Sequence, residues 1–485
     1  MQTLIYKIFT RKFSLSLQAD ALLYLSDVIA QKGMDHASAQ AWLELLADTW
    51  TKREEGKPLV ELGPLKALVS AITSADTTTT TTTTQADGPW APDLFSVINA
   101  FDVPSWWFDP GQKKFTKPFD SSEMLAPAEA KAALFRQRYD LLKQRVLRNE
   151  NFMPVSFSNS EKDRLYQLST VDSLQGREGE HFLLLGMLAQ MEEGRVFLED
   201  KDGSIELDLA RLPSQSPSGL YTEGCFVLAD GYVKDNVFVV EQLGFPPPEP
   251  RTTTLQAFPN TNLFGAEPSV RTPAQLKAIE AEHDSGIVIL SDVWLDHAPT
   301  MEALHALFEG FSQDVPPIAF ILTGDFCSKP FVPGSGETAQ YRDNLSALGQ
   351  LIAGFPNIAR QSHFVFVPGA NDPWGQGALP KPPIPEFFTK RLASKLAKVT
   401  FATNPCRIRF CTQEIIVFRE DLLKRIRRNS ILPPAEDAEI VKHLVRTVVD
   451  QGHLCPLPQR IRPVYWAYDH AMRVYPIPDV LVLAD

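Results

Sequence analysis

Hydrophobic residues recur with helical spacing near the start of the chain. In "ADALLYLSDVIA", Leu22, Leu25, Val28 and Ile29 fall on one face of a helix, and "AQAWLELLADTW" at 39–50 repeats the pattern. A small helical module over 1–73 is the expectation. The pattern then stops at "SADTTTTTTTTQADGP", 74–89, where eight consecutive threonines offer no apolar face to bury. Such a stretch reads as a flexible linker. Two readings fit the module: a tethered recruiting element, or a stabilising N-terminal segment followed by a loop insertion.

The period changes between 181 and 244. "HFLLLGMLAQM", "GRVFLED", "GSIELDLA", "EGCFVLADGYV" and "NVFVVEQLGF" are short runs rich in Val, Leu and Phe, separated by turn residues such as "DKDGS" and "VKDN". Alternation is clean from Ile205 to Leu209. Five such runs predict a five-strand meander closed as an OB-type barrel over 171–260, ended by the proline-rich "GFPPPEPRTTT". Before it, 90–170 reads as a connecting helical and extended segment, with "APAEAKAALFRQRYDLLKQRVLRN" as its helix.

From 286 strands and helices alternate: "GIVIL", "TMEALHALFEGF", "PIAFILTGD", "TAQYRDNLSALGQLIAGF", "HFVFVPG", and later "CRIRFC", "QEIIVF" and "PDVLVLAD". This grammar predicts a layered α/β domain over 285–485. Met301, Leu304, Leu307, Phe308 and Phe311 mark the buried side of its first helix. Ligand loops in such folds lie at the carboxyl ends of the strands. Those ends read "SDVWLDH", "TGDFCSKP" and "PGANDPW".

Composition narrows the classes. The 485 residues allow about three domains. With 44% hydrophobic residues and a net charge of −12, the chain has ample core material and is no general polyanion binder. Its apolar runs are too short to cross a bilayer. Five scattered cysteines, never spaced CxxC, read as reduced intracellular thiols.

The three strand-end loops resemble, in order, the DxH, GDxxD and GNHD/E motifs of the calcineurin-like phosphoesterases. That resemblance implies two metal ions held by acidic and imidazole ligands, with a water activated between them. Position by position the ligands are missing. Asp292 stands at the first aspartate, but Trp294 occupies the histidine position. Asp325 matches the bridging aspartate, while Ser328 replaces the second one. Ala370 and Asn371 take the places of asparagine and catalytic histidine, leaving Asp372. His453, in "QGHLCPLP", matches a single-histidine motif, and Asp485 stands where a last histidine belongs. His297 lies five residues past Asp292 and reads as a solvent-exposed helix-start residue. The expectation is therefore no catalytic residue, no metal set and no cofactor, with room at most for one weakly held ion.

An OB barrel ahead of a phosphoesterase domain without its ligands is the arrangement of the B-subunits of eukaryotic replicative DNA polymerases. "VILSDVWLDH", "FVFVPGANDPW", "TNPCRIRFCTQEIIVFREDL", "QGHLCPLP" and "PVYWAYDHAMRVYPIPDVLVLAD" resemble the epsilon branch of that family, as do "GRVFLEDKDGSIELDL" and "SGLYTEGCFVLADGY". The resemblance implies a multidomain α/β plus all-β chain: helical N-terminal module, OB-type barrel, and phosphoesterase-like sandwich without metal ligands. It further implies a nuclear, non-catalytic scaffold holding the zinc-bearing C-terminal domain of the polymerase's catalytic subunit. The N-terminal module would dock to replicative helicase components, and DNA would be met only through the complex. Members continue past "LAD" with further strands, so the resemblance implies a C-terminal domain cut short here.

Two other classes stand beside this one. A metal-dependent phosphodiesterase is opposed by Trp294, Ala370 and Asn371. A single-strand-binding barrel needs a basic groove with stacking aromatics. Across 181–250, Arg195, Lys201, Arg211 and Lys234 face twelve Asp and Glu, and Phe197, Phe226 and Phe238 read as core. The basic run "KRIRR", Lys424 to Arg428, reads as a solvated helix face, with DNA contact or nuclear import as alternatives. The aromatic and aliphatic mass of "YWAY" and "VYPIPDVLVL" predicts exposed hydrophobic surface.

Overall fold

The computed structural model describes residues 5–13, 15–31, scattered positions between 43 and 69, and 94–484 apart from 118–121, 153–166, 193, 214–217, 270, 283–285, 335, 374–376 and 435–438. The threonine linker 74–89 and Asp485 lie outside the described residues, as does most of 39–50.

The chain divides into two compact units, Met1–Ala86 and Asp87–Asp485. In the first, the helix Ala19–Gln31 buries Ala21, Leu25 and Ile29, an i, i+4, i+8 stripe. Leu22, expected on that face, is half-buried at its edge. Ser16–Leu17 pairs in parallel with Leu59–Val60, and the shared core includes Phe9, Leu43, Leu46, Trp50 and Leu65.

The second unit opens with strand β1 (Phe95–Asn99) and helix α1 (Glu129–Leu147). A barrel follows, built of β2 (His181–Glu192), β3 (Arg195–Glu199), β4 (Ser204–Asp208), β5 (Phe226–Lys234) and β6 (Val237–Gly244). All five predicted strands form, but not as a meander. β4 pairs in parallel with β6, and β5 closes antiparallel against β2, giving the order β2-β3-β4-β6-β5. The seventeen residues between β4 and β5 are too many for a hairpin, and the two strands are not neighbours, so closure falls to β5. Glu241 is an extra, unpaired residue of β6 opposite Asp230/Gly231, a bulge that bends β6 there, and a Cβ on Gly231 would lie 2.0 Å from the Val239 carbonyl oxygen. Phe226 and Phe238 are buried as expected, whereas Phe197 is half-buried.

Two four-stranded sheets complete the unit. The first is parallel: β7 (Ile287–Leu290), β8 (Ala319–Thr323), β9 (His363–Val367) and β10 (Val399–Phe401), in that order. Helices α2 (Ala298–Ser312), α3 (Glu337–Ala353) and α4 (Glu386–Ala393) cover one face. The second is mixed, in the order β13 (Val480–Ala484), β12 (Gln413–Arg419), β11 (Cys406–Phe410), β1. α5 (Leu422–Arg428) and α6 (Ile440–Gln451) cover its outer face.

Strand alternation assigns every layer. On β8, Ala319 and Ile321 face the second sheet while Phe320 and Leu322 face the helices; on β9, Val365 and Val367 oppose Phe364 and Phe366. Between the sheets these meet Cys406, Ile408, Phe410, Ile415 and Val417. Burial on both faces is why β8 and β9 read as continuous apolar runs.

The segment 90–170 does more than connect. β1 is an edge strand of the mixed sheet, pairing antiparallel with β11. α1 lies between barrel and sheets: Tyr139 and Leu142 pack on Leu185 and Phe226, and Leu141 on Phe108, Phe115 and Tyr475. The expected exposure of "YWAY" and "VYPIPDVLVL" forms only in part: Val474 and Tyr475 are buried, 465–468 and 481–483 are half-buried, and Val480 is exposed.

Candidate functional site

The loops after β7, β8 and β9 converge, and close approach of backbone is their common device. A Cβ on Gly324 would sit 1.9 Å from Asp372 Oδ2 and 2.5 Å from the Gly369 nitrogen; one on Gly369 would sit 2.2 Å from Asp325 Oδ1. The two glycines allow the second and third loops to interleave. Asp292 takes a left-handed backbone, φ 53°, which aspartate tolerates better than most residues.

Each carboxylate has assigned donors. Asp292 Oδ1 receives the Asp325 N–H at 3.3 Å and the Arg419 Nη2 at 2.8 Å. Asp325 Oδ1 accepts the Asn371 N–H at 2.8 Å. Asp372 Oδ1 accepts the Phe326 N–H and the Tyr341 hydroxyl, both at 2.9 Å, and Oδ2 accepts the Gly369 N–H at 2.7 Å. Burial lifts the Asp372 carboxyl to about 6 despite these donors. Burial also raises Asp325, against the pull of the Asn371 N–H and Arg419.

Two cations enter the cluster. Arg419, the last residue of β12, comes from the mixed sheet. Its Nε donates to the Gly324 carbonyl at 2.7 Å, Nη1 to Asp421 at 2.7 Å, and Nη2 lies 3.9 Å from Asp325 Oδ2. Burial opposes its charge, but Asp421 and Asp292 outweigh that and raise its pKa. Lys381 holds the third loop from beneath, its Nζ donating to the carbonyls of Gly369 and Asp372 at 2.6 and 2.7 Å. Burial lowers its pKa.

The remaining named positions divide. Trp294 is 40% exposed. Ser328 turns to Asp296, its hydroxyl 2.6 Å from Oδ2. Ala370 lies in the third loop as an exposed backbone position. His297 is exposed just before α2, 3.4 Å from the Thr300 hydroxyl. His453 belongs to a different cluster. Its Nδ1 accepts the Cys455 N–H at 3.1 Å, and its Nε2 faces both Arg138 Nη2 at 2.9 Å and Asp469 Oδ1 at 3.3 Å. Arg138 Nε completes that buried group, 3.1 Å from Asp469 Oδ1. Burial, then Arg138, depresses His453 to about 4. Its partners are not in the three loops. Asp485 lies outside the described residues. Among the described residues, no group of three or more His, Cys, Asp and Glu is arranged to hold a metal ion.

Arg419, Lys381 and Tyr341 went unmarked in the sequence. A signal existed for Arg419: a charged residue ending the apolar run "EIIVF" must find partners where the strand leaves the core. In α5, Leu422 and, within "KRIRR", Ile426 face the core, Arg425 pairs with Glu420 at 3.2 Å, and Lys424, Arg427 and Arg428 are exposed. No described helix is long and apolar enough to cross a membrane.

Comparison with known proteins follows the same division of the chain. A family model for the DNA polymerase alpha/epsilon B-subunits matches residues 287–485, and one described as DNA polymerase epsilon subunit 2-like, OB-fold domain, matches 128–247. The second begins at α1, so helix and barrel are matched together. DNA polymerase epsilon subunit 2 of Bos taurus is 41% identical over 483 residues, covering 97% of this chain and 88% of that protein. Its Homo sapiens counterpart is 39% identical with the same coverages. The DNA polymerase epsilon B-subunit of Arabidopsis thaliana is 36% identical over 398 residues, covering 80% of this chain and 75% of that protein.

Proposed function

The chain belongs to the family of DNA polymerase epsilon B-subunits, also called subunit 2, and from that premise we propose that it is a non-catalytic scaffold within the polymerase. It is an accessory subunit of DNA polymerase epsilon, partnered with the catalytic subunit and acting in the nucleus. The two facing sheets with their outer helices are a calcineurin-like sandwich that has lost its metal ligands.

The observation that carries this reading is the loop cluster. Where a binuclear site needs imidazoles and free carboxylates, Trp294 and Asn371 supply no imidazole. Asp292 and Asp372 are already engaged by Arg419, backbone N–H groups and Tyr341. The residues present do not fit a metal pair, and no reaction step is assigned to them. Barrel, α1 and sandwich form one compact body whose role is to hold the zinc-bearing C-terminal domain of the catalytic subunit. The N-terminal module extends that role to replicative helicase components.

Two measurements test the proposal. Affinity purification from cells should recover the catalytic subunit in stoichiometric amount; a preparation without it removes the scaffold role. Purified protein with manganese should not turn over a generic phosphodiester. Turnover abolished by Asp325→Ala makes the chain a hydrolase instead.

A further inference from the structure

Arg419 stands where the carboxylates of the first two loops converge, and it arrives from the opposite sheet. Its guanidinium is 4% exposed and spends its three nitrogens in three directions: Gly324 oxygen, Asp421, and the Asp292–Asp325 pair. A planar, permanently charged fork suits that task, since it neutralises carboxylates and satisfies a carbonyl at once. Asp325 is itself 6% exposed, so without a cation it faces Asp292 in a poorly solvated cleft. The left-handed Asp292 and the interleaved Gly324 and Gly369 bring these groups together, and of the two cations in the cluster it is Arg419 that donates to Asp292 and lies against Asp325.

We infer that Arg419 is a built-in cation, and that the cleft between Asp292 and Asp325 is a cation site whose occupant the chain supplies from its second sheet. The inference rests on the reading of the loop cluster as metal-free and goes further, in saying what holds the loops together. It follows that vacating the position uncovers an oxygen-lined site for a hard divalent ion such as manganese.

The test uses the full chain as wild type, Asp292→Asn, Arg419→Met, and Arg419→Met combined with Asp292→Asn. Melting temperature is read in chelator and in millimolar manganese, with bound manganese followed by electron paramagnetic resonance. Wild type should melt alike in both and bind no ion. Arg419→Met should melt about 5 °C lower or more in chelator, as expected for a partner lost from a buried ion pair. Manganese should restore at least half of that loss and appear as bound ion. The double variant should regain stability in chelator and ignore manganese.

Equal destabilisation of single and double variants, with no manganese response, overturns the inference and leaves Arg419 a packing residue. If the single variant does not fold, the double variant decides: folding supports the inference, and failure to fold overturns it. Manganese bound by wild type, and lost in Asp292→Asn, overturns the metal-free reading and this inference with it.

Discussion

Arg138 on α1 and Asp469, 331 residues later, form a buried ion pair, with Arg138 Nε 3.1 and 3.2 Å from the two carboxylate oxygens. His453 joins them through Nε2. Arg138, with the aromatic contacts around Leu141, ties the helix that carries the barrel to the loops behind the mixed sheet. Breaking one side of such a pair leaves an uncompensated buried charge. Arg138→Met is expected to cost about 3–5 kcal/mol in urea unfolding. Arg138→Met with Asp469→Asn should recover a large part of it. Equal losses in the two variants would show that the charge pairing is not what stabilises the junction.

Acid should destabilise the protein through its buried imidazoles. Burial first, and nearby cations second, depress His363, His453 and His470 from 6.5 to about 4 each. Between those values the unfolded chain binds more protons, so stability falls as pH drops from 6.5 towards 4. Asp372, raised by burial to about 6, and Asp230, Asp325 and Asp450, which burial also raises, act in the opposite sense, so the decline is what the three imidazoles leave over these carboxylates. A melting temperature that rises from pH 6.5 to pH 5 contradicts this. In His363→Gln the decline should be shallower than in wild type.

Gly324→Ala should fail to give soluble protein, because its Cβ meets Asp372 Oδ2 at 1.9 Å and the Gly369 backbone at 2.5 Å. Gly310→Ala, within α2 with nothing within 4 Å of the added Cβ, should stabilise by about 0.5–1 kcal/mol. Soluble yield and melting temperature separate the two substitutions; similar behaviour would remove the close-approach account of the loop cluster.

The full chain should bind single-stranded DNA with a dissociation constant weaker than about 1 μM at physiological salt, the non-specific range. Its barrel region carries twelve acidic residues against four basic ones, and Phe226 and Phe238 are buried. Fluorescence anisotropy is the measurement. Submicromolar binding lost in a barrel variant would assign the barrel a nucleic-acid role.

What the sequence made legible was local. β2 to β6 and the alternation on β8 and β9 could be read from period and turn residues, and the loops carrying Asp292, Asp325 and Asp372 from their places at strand ends. What it hid was distant pairing. Nothing near "FSVIN" names "CRIRF" as its partner, and nothing near Asp325 points to Arg419. The parallel β4–β6 pairing was equally silent, because hydrophobic period fixes a strand's faces but not its neighbours. His453 was placed in the wrong company for the same reason: a motif position does not specify Arg138 and Asp469 as partners.

The strand β1 has a consequence for how the protein is made. Its neighbour Ala100 donates to Thr403, 303 residues away, and its own ladder partner is β11. On the ribosome the barrel strands emerge together and can close by residue 244, whereas Phe95–Asn99 has no partner until Phe410 is synthesised. At about 5–20 residues per second the delay is roughly 15–60 s. Over its second half, once residue 244 has emerged, an apolar strand hangs beside a finished barrel. Nascent chains stalled or cleaved ahead of β11 therefore carry a folded barrel with an open β-edge upstream, the species that quality control must hold or destroy.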